Sequence, residues 1–309
     1  MKRLWILLSI TLLAFSFVIA QMPIEDELYA SVLGIEGKTH LDRGQFIKEQ
    51  LHKMGVGYVT APFTDISRVK KDTIIITGEN IIVRLGQGTK RIVVGAHYDV
   101  FKDSPGANDN GSGVAVVLAL VQHMQNIEWN YSVDFCFFDQ EEAKLTGSMC
   151  YIKQFIMPQK HIAMINLDIE GTGEEVFVGP VGMNSRTILR YVHDAVKETR
   201  FPFFESAEFP ASDHVSFAKF DLQNIAISIV PKGDGDRLSK YVRNGYKPDS
   251  LDAPKVLGVI RTVDDRSNLI SPASLKMSYE FTKTLLLLLN EARFVELPKV
   301  LPQDATKRK

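Results

Sequence analysis

The chain has 309 residues, with 36 Lys and Arg against 37 Asp and Glu and a formal net charge of −1. That balance gives no global field favouring nucleic acid or an anionic membrane, so no nucleic-acid partner is expected. An apolar fraction of 45% and a charged fraction of 24% suit a globular chain with a substantial core, and two cysteines exclude a small disulfide scaffold.

The opening stretch, "MKRLWILLSITLLAFSFVIAQ", sets Lys2 and Arg3 before an apolar run, with Val18 and Ala20 at small-residue cleavage positions. It reads as a signal peptide over residues 1–20, which predicts an exported protein, periplasmic or secreted, with no stable membrane span after cleavage. Residues 21–296 then make one folded domain, and residues 297–309, with the basic "TKRK", a polar C-terminal tail. "THLDRGQFIKEQLHKMG" reads as a helix capped by Thr39 and Asp42 and stopped by Gly55. The β-branched stretches "GYVT", "TIIIT", "NIIVRL" and "RIVVGA" follow as strands separated by turn residues. "GVAVVLALVQHM" is a buried helix, "YSVDFCFF" a core strand and "GSMCYIKQFI" a helix.

"HIAMINLD", "EVFVG" and "NIAISIVP" are further strands, and "MNSRTILRYVHDAVKE" is an amphipathic helix capped by Asn184 or Ser185. Phe201, Phe203 and Phe204 either line a side-chain pocket or pack in the core. The polar, glycine-containing "KGDGDRLSKYVRNGYKPD" reads as a surface loop. The last helix begins near Pro272, with Phe281, Leu285, Leu288 and Leu289 as its apolar stripe. Cys136 and Cys150 read as buried free thiols, and "NGS" at Asn110 and "NYS" at Asn130 as chance glycosylation sequons. Strands alternating with helices define an α/β fold: a three-layer sandwich with a mixed, mainly parallel central sheet, helices on both faces and one antiparallel edge.

Side chains able to hold a metal recur where apolar strands run out. "RIVVGAHYD" ends in His97 and Asp99, "SPGANDNGSG" offers Asp109, "VDFCFFDQEE" ends in Glu141 and Glu142, and "HIAMINLD" ends in Asp168. Parallel strands share one carboxyl edge, so these groups can converge there. One imidazole among clustered carboxylates calls for a cation, and zinc accepts both donor types. Asp99, two residues past His97, lies on the same side of the strand and is placed to orient the imidazole.

"GAHYD", "GANDNGSG", "FFDQEEAKLTGS", "NLDIEG" and "SDHVSF", in that order, resemble the secreted zinc aminopeptidase family that also contains the glutaminyl cyclases. The resemblance implies an exopeptidase domain with two zinc ions that removes N-terminal residues from peptide substrates. By motif, His97 and Asp168 would hold one zinc, Asp109 would bridge both, Glu142 would bind the second and Glu141 would act as general base. Asp99, Asp213 and His214 would support the site.

The family pattern also has a late His in a segment like His-Thr-x-x-Asp, and here "VIRTVDDRSNLISP" puts Arg261 in its place. Arg has no lone pair for a metal, but its guanidinium can pair with Glu142 instead. One zinc then keeps a full set in His97, Asp109 and Asp168, while a second ion is doubtful. The leading expectation is an active aminopeptidase. The alternatives are a non-catalytic member that binds peptides or a partner, and a glutaminyl cyclase-like transferase.

Overall fold

The computed structural model describes residues 22–69, 72–247 and 252–292. The expected signal peptide and polar tail lie outside the described residues. The strands are β1 (Val59–Val69), β2 (Asp72–Leu85), β3 (Arg91–His97), β4 (Ser132–Phe138), β5 (His161–Leu167), β6 (Glu175–Gly179), β7 (Phe203–Glu205) and β8 (Asn224–Val230). They form one sheet in the order β1-β2-β4-β3-β5-β8-β6-β7. The central β4, β3, β5 and β8 run parallel. Antiparallel pairing occurs at both flanks, β1–β2–β4 on one side and β6–β8 on the other, where the sequence led us to expect one such edge.

The helices are α1 (Ile24–Ile35), α2 (His40–Lys53), α3 (Gly113–Met124), α4 (Thr146–Phe155), α5 (Arg186–Thr199), α6 (His214–Ala218), α7 (Asp234–Arg243) and α8 (Pro272–Glu291). They cover the sheet on both faces, and alternation along the strands builds two cores. Ile92, Val94, Phe135, Phe137, Ile165 and Leu167 face α1, α3, α5 and α8. Val93, Cys136, Phe138 and Met164 face Tyr151 of α4 and Phe217 of α6. Because both faces are covered, β3, β4 and β5 read as continuous apolar runs rather than alternating ones.

Local chemistry sets the element ends. Thr39 Oγ1 accepts from the Asp42 N–H to start α2, and Ser271 does the same for Ser274 ahead of Pro272 in α8. Ser185 stands at the start of α5, but its hydroxyl is engaged with Gly182 and does not cap the helix. "TIIIT" and "NIIVRL" are one strand, not two. Gly78 between them lies under Phe63 and Asp139, where a Cβ would come within 2.6 Å of either side chain.

The segment expected as a surface loop contains α7. Buried Asp234 accepts from the N–H groups of Lys255 (2.7 Å) and Val256 (3.3 Å), and Leu238 anchors the helix in a third apolar cluster. Phe204 packs on Phe177, with ring centroids 5.8 Å apart, so these aromatics belong to the core. Cys136 and Cys150 are both free and buried. Asn110 is fully buried, and its side-chain amide donates to the Leu167 carbonyl, which rules out a glycan there in the folded state. No helix among the described residues is long and apolar enough to cross a membrane.

At the opposite end of the sheet from the loops described below, His161 starts β5 buried against Phe217. Burial pushes its imidazole down to about 4, although Nε2 donates to the Gln223 carbonyl at 2.9 Å. Burial likewise holds His214 down at about 3. Both are neutral when folded, and both take up a proton in the unfolded chain below about pH 6.5. Stability is therefore complete above that pH and is lost as pH falls toward the folded values. Replacing His161 by Gln is expected to flatten the dependence of Tm on pH between about 6.5 and 4, removing about one proton taken up on unfolding near pH 5. A slope equal to that of the wild type would contradict this assignment.

Candidate metal and catalytic site

The parallel strands deliver their C-terminal residues to one edge. His97 ends β3, Asp168 follows β5, and Asp109 lies in the turn over Ala107–Ser112 that leads into α3. One donor atom from each of the three falls within 4.8 Å of the others. His97 Nε2 is 3.2 Å from Asp109 Oδ1 and 3.7 Å from Asp168 Oδ1. Asp168 Oδ1 is buried and has no hydrogen-bond partner. A buried, unsatisfied carboxylate oxygen facing an imidazole nitrogen is the arrangement a bound cation completes. Without one, burial disfavours the imidazolium, but Asp109, Asp168 and Asp99 outweigh it and hold His97 well above its ordinary value.

Asp99 has a larger job than orienting the imidazole. His97 Nδ1 donates to the Asp99 backbone carbonyl at 3.2 Å, with the Asp99 carboxylate 3.4 Å away. The carboxylate itself accepts from the N–H groups of Glu141 (2.9 Å) and Glu142 (3.0 Å). One side chain thus ties the β3 end to the glutamate loop after β4. Glu141 is 5% exposed, and burial raises its carboxyl well above the usual range. Glu142 is less buried, and burial with the neighbouring Asp109 charge pushes it up to about 7.

Glu142 does not join the three-residue set. Arg261 takes it instead: Nε donates to Oε1 at 3.0 Å, and Nη2 stands 2.9 Å from Oε2. The same guanidinium lies 3.5 Å from Asp109 Oδ2 and 3.8 Å from Glu141 Oε2, with the Phe101 ring 5.8 Å from its centre. Arg261 adopts a left-handed backbone conformation, with φ of 60°. Its charge and that of Arg43 help His97 keep Asp109 below the ordinary carboxylate range, against the opposing effect of burial.

Asp213 and His214 are both buried, and neither belongs to the His97 set. Burial pushes Asp213 up to about 7, with the charges of Asp99 and Asp168 adding to the rise and His97 and the Ser148 hydroxyl opposing it. His214 packs edge-on against Phe209 at 5.7 Å.

The sequence carried no signal for a further ring of residues that holds His97, Asp109 and Asp168 in place. Asp265 accepts from the N–H groups of Asn108 (2.7 Å) and Asp109 (3.0 Å). Fully buried Arg43 donates to the carbonyls of Pro105 (2.6 Å) and Gly106 (2.9 Å). Gly106 has φ of 64°, and a Cβ there would lie 2.5 Å from the Arg43 guanidinium, so this approach requires glycine. Glu170 accepts from the Asp168 N–H at 2.9 Å, and burial keeps its carboxyl well above the usual range. Asn110 Oδ1 accepts from the Gly113 N–H at 3.1 Å while its amide reaches the loop after β5. The motifs "NLDIEG" and "RTVDD" contained Glu170 and Asp265, but their targets are backbone groups and leave no side-chain pattern.

An α/β sheet thus gathers at the C-terminal end of its parallel strands an imidazole and two carboxylates that could hold a metal ion. The chain belongs to peptidase family M28, whose sequence model matches residues 80–276. Aminopeptidase YwaD of Bacillus subtilis is 30% identical over 151 residues, 46% of this chain and 33% of that protein. A probable leucine aminopeptidase of Arthroderma otae is 30% identical over 149 residues, 43% of this chain and 42% of the relative. The match thus spans less than half of either relative. Among solved structures, a zinc aminopeptidase from Bacillus subtilis aligns with a TM-score of 0.68 at 14% identity, over 86% of this chain and 95% of that one. Porphyromonas gingivalis glutaminyl cyclase aligns at 0.64 and 19% identity, over 86% and 98%. These two likenesses share the fold.

Since Asp265 fixes Asp109 through two backbone N–H groups, Asp265→Ala should loosen a metal ligand without removing it. Zinc affinity measured by competition with a chromogenic chelator should fall by about 10–100-fold. Affinity unchanged within about twofold would show that the turn holds Asp109 by itself.

Proposed function

We propose that the protein is a zinc-dependent exopeptidase, an aminopeptidase that hydrolyses N-terminal residues from peptides outside the cytoplasm. The observation that carries this reading is the convergence of His97, Asp109 and Asp168 beside the buried carboxyl of Glu141. Membership of a peptidase family and the aminopeptidase names of the relatives support it. The donor set of one imidazole nitrogen and two carboxylate oxygens, with Asp168 Oδ1 unsatisfied, suits zinc held by three protein ligands. Zinc bound there supplies Lewis acidity, polarising a carbonyl and acidifying water toward a pKa of about 7.

The chain's own residues do the rest. Glu141 is the proton acceptor: it lies beside the ligand set without belonging to it, and burial raises its proton affinity, which suits a general base. The protonated Glu141 then returns its proton to the departing amine, so the same carboxyl serves both halves of amide hydrolysis. Asp99 keeps Glu141 in register with His97 through the hydrogen bonds that join their loops. Asp213, buried alongside, adds negative charge that further raises Glu141. Export rests on Lys2, Arg3 and the apolar run behind them, and an N-terminus at Gln21 on the exported protein would mark it.

Arg261 favours a second reading, a non-catalytic member that binds peptides, because its guanidinium sits among the acidic groups. Two measurements separate the readings. Purified protein should carry zinc and release amino acids from aminoacyl chromogenic substrates. Glu141→Gln should lower kcat by about 10²–10⁴ while leaving zinc content unchanged. Loss of zinc in that variant would contradict the role of Glu141, and wild-type protein without zinc or turnover would leave the binding reading.

A further inference from the structure

Asp109 presents two oxygens to two different positions. Oδ1 faces His97 Nε2 at 3.2 Å, on the side shared with Asp168, whereas Oδ2 faces Arg261 Nε at 3.5 Å. On that second side stands Glu142, with both oxygens within 3.0 Å of the guanidinium. The side chains of Asp109 and Glu142 are 5% and 14% exposed while that of Arg261 is 48% exposed, so two largely buried acids meet a cation that reaches them from the solvent side. Two largely buried carboxylates facing one position either take up a proton or hold a cation there. The cation present is covalently part of the chain.

We infer that Arg261 is the fixed second cation of this site: it fills the position between Asp109 and Glu142, so the chain takes one metal ion, on His97, Asp109 and Asp168, and excludes a second. This inference rests on the metal-dependent reading above and specifies its ion count. A guanidinium never deprotonates and offers no lone pair, so it neutralises these acids at every working pH and ligates nothing. Its planar fork meets Glu142 through two nitrogens, a geometry an ammonium cannot reproduce. An incoming ion would have to displace it from both Glu142 oxygens and from beside Asp109 Oδ2, breaking the two-nitrogen contact with Glu142. The carboxylate that the sequence offered as a ligand is thereby withdrawn from metal binding, and Glu142 becomes a positioning residue that acts through Arg261.

The test counts ions rather than turnover. Chelator-stripped wild type, Arg261→His, Arg261→Ala and Glu142→Gln are dialysed to equilibrium against zinc chloride, and zinc per chain is measured by elemental analysis. Folding of each is checked by circular dichroism. One zinc per wild-type chain is expected, rising to two in Arg261→His. Glu142→Gln should keep its single zinc with an affinity within about threefold of the wild type, because Glu142 is no ligand here. Metal-free Arg261→Ala should melt roughly 3 °C or more below the metal-free wild type, as unscreened carboxylates repel. Two zinc ions on the wild type, or loss of the single ion in Glu142→Gln, would overturn the inference while leaving the peptidase reading intact. A folded Arg261→His that still binds one ion would also overturn it. Wild-type protein that binds none would instead sink the metal-dependent reading itself.

Discussion

Mutual repulsion among buried carboxylates is the constraint on which the site depends. Asp109 and Asp168 approach one imidazole, and Glu141 and Glu142 one guanidinium, at the same sheet edge. Left alone, such groups would protonate or spring apart: burial first, and the neighbouring acids after it, raise Glu141 and Glu142. The fold holds them by spending cations and hydrogen-bond donors around them. Arg261 meets the acids from the solvent side, while Arg43 acts from beneath on the turn that carries Asp109.

A second set of acids is spent on backbone. Asp99, Asp265 and Glu170 accept N–H groups from the very loops that carry Glu141, Asp109 and Asp168. The geometry of the His97, Asp109 and Asp168 cluster is therefore enforced by hydrogen bonds that form with the fold, and its side chains are preorganised by their surroundings. Asn108 and Asn110 extend the same logic. Their side chains stitch the turn before α3 to the loop after β5, through the Gly171 N–H and the Leu167 carbonyl. Loops from different strands thus behave as one unit.

Much of this was legible in the sequence, for identifiable reasons. The strands of the parallel centre and the buried α3 announce themselves as apolar runs because both faces are covered, so even Asp134 in β4 and Asn166 in β5 are buried. α1 escaped notice since only Leu28, Val32 and Ile35 turn inward behind an acidic first turn, and its partners α3 and α8 lie far along the chain. α7 was hidden by Gly233 and Gly235, which read as loop residues but mark a helix start and a close approach to Phe204. Within the site, His97 and Asp168 stood out as polar residues at strand ends and Asp109 in the loop before a buried helix, and the pairing of Arg261 with Glu142 followed from charge and the absence of a lone pair. Asp265 and Arg43 had no such signal, because they work on N–H and C=O groups that every residue carries.

The left-handed backbone at Arg261 has an evolutionary consequence. Few side chains accept that conformation readily, and histidine is among those enriched there. Arginine and histidine codons can differ by a single base. The main chain at this position therefore already suits either residue, and a single nucleotide change can exchange a tethered charge for a lone pair without remodelling the loop. The charge at this position is then a trait that selection can adjust in one step, in either direction, while the sheet and the His97 cluster stay as they are.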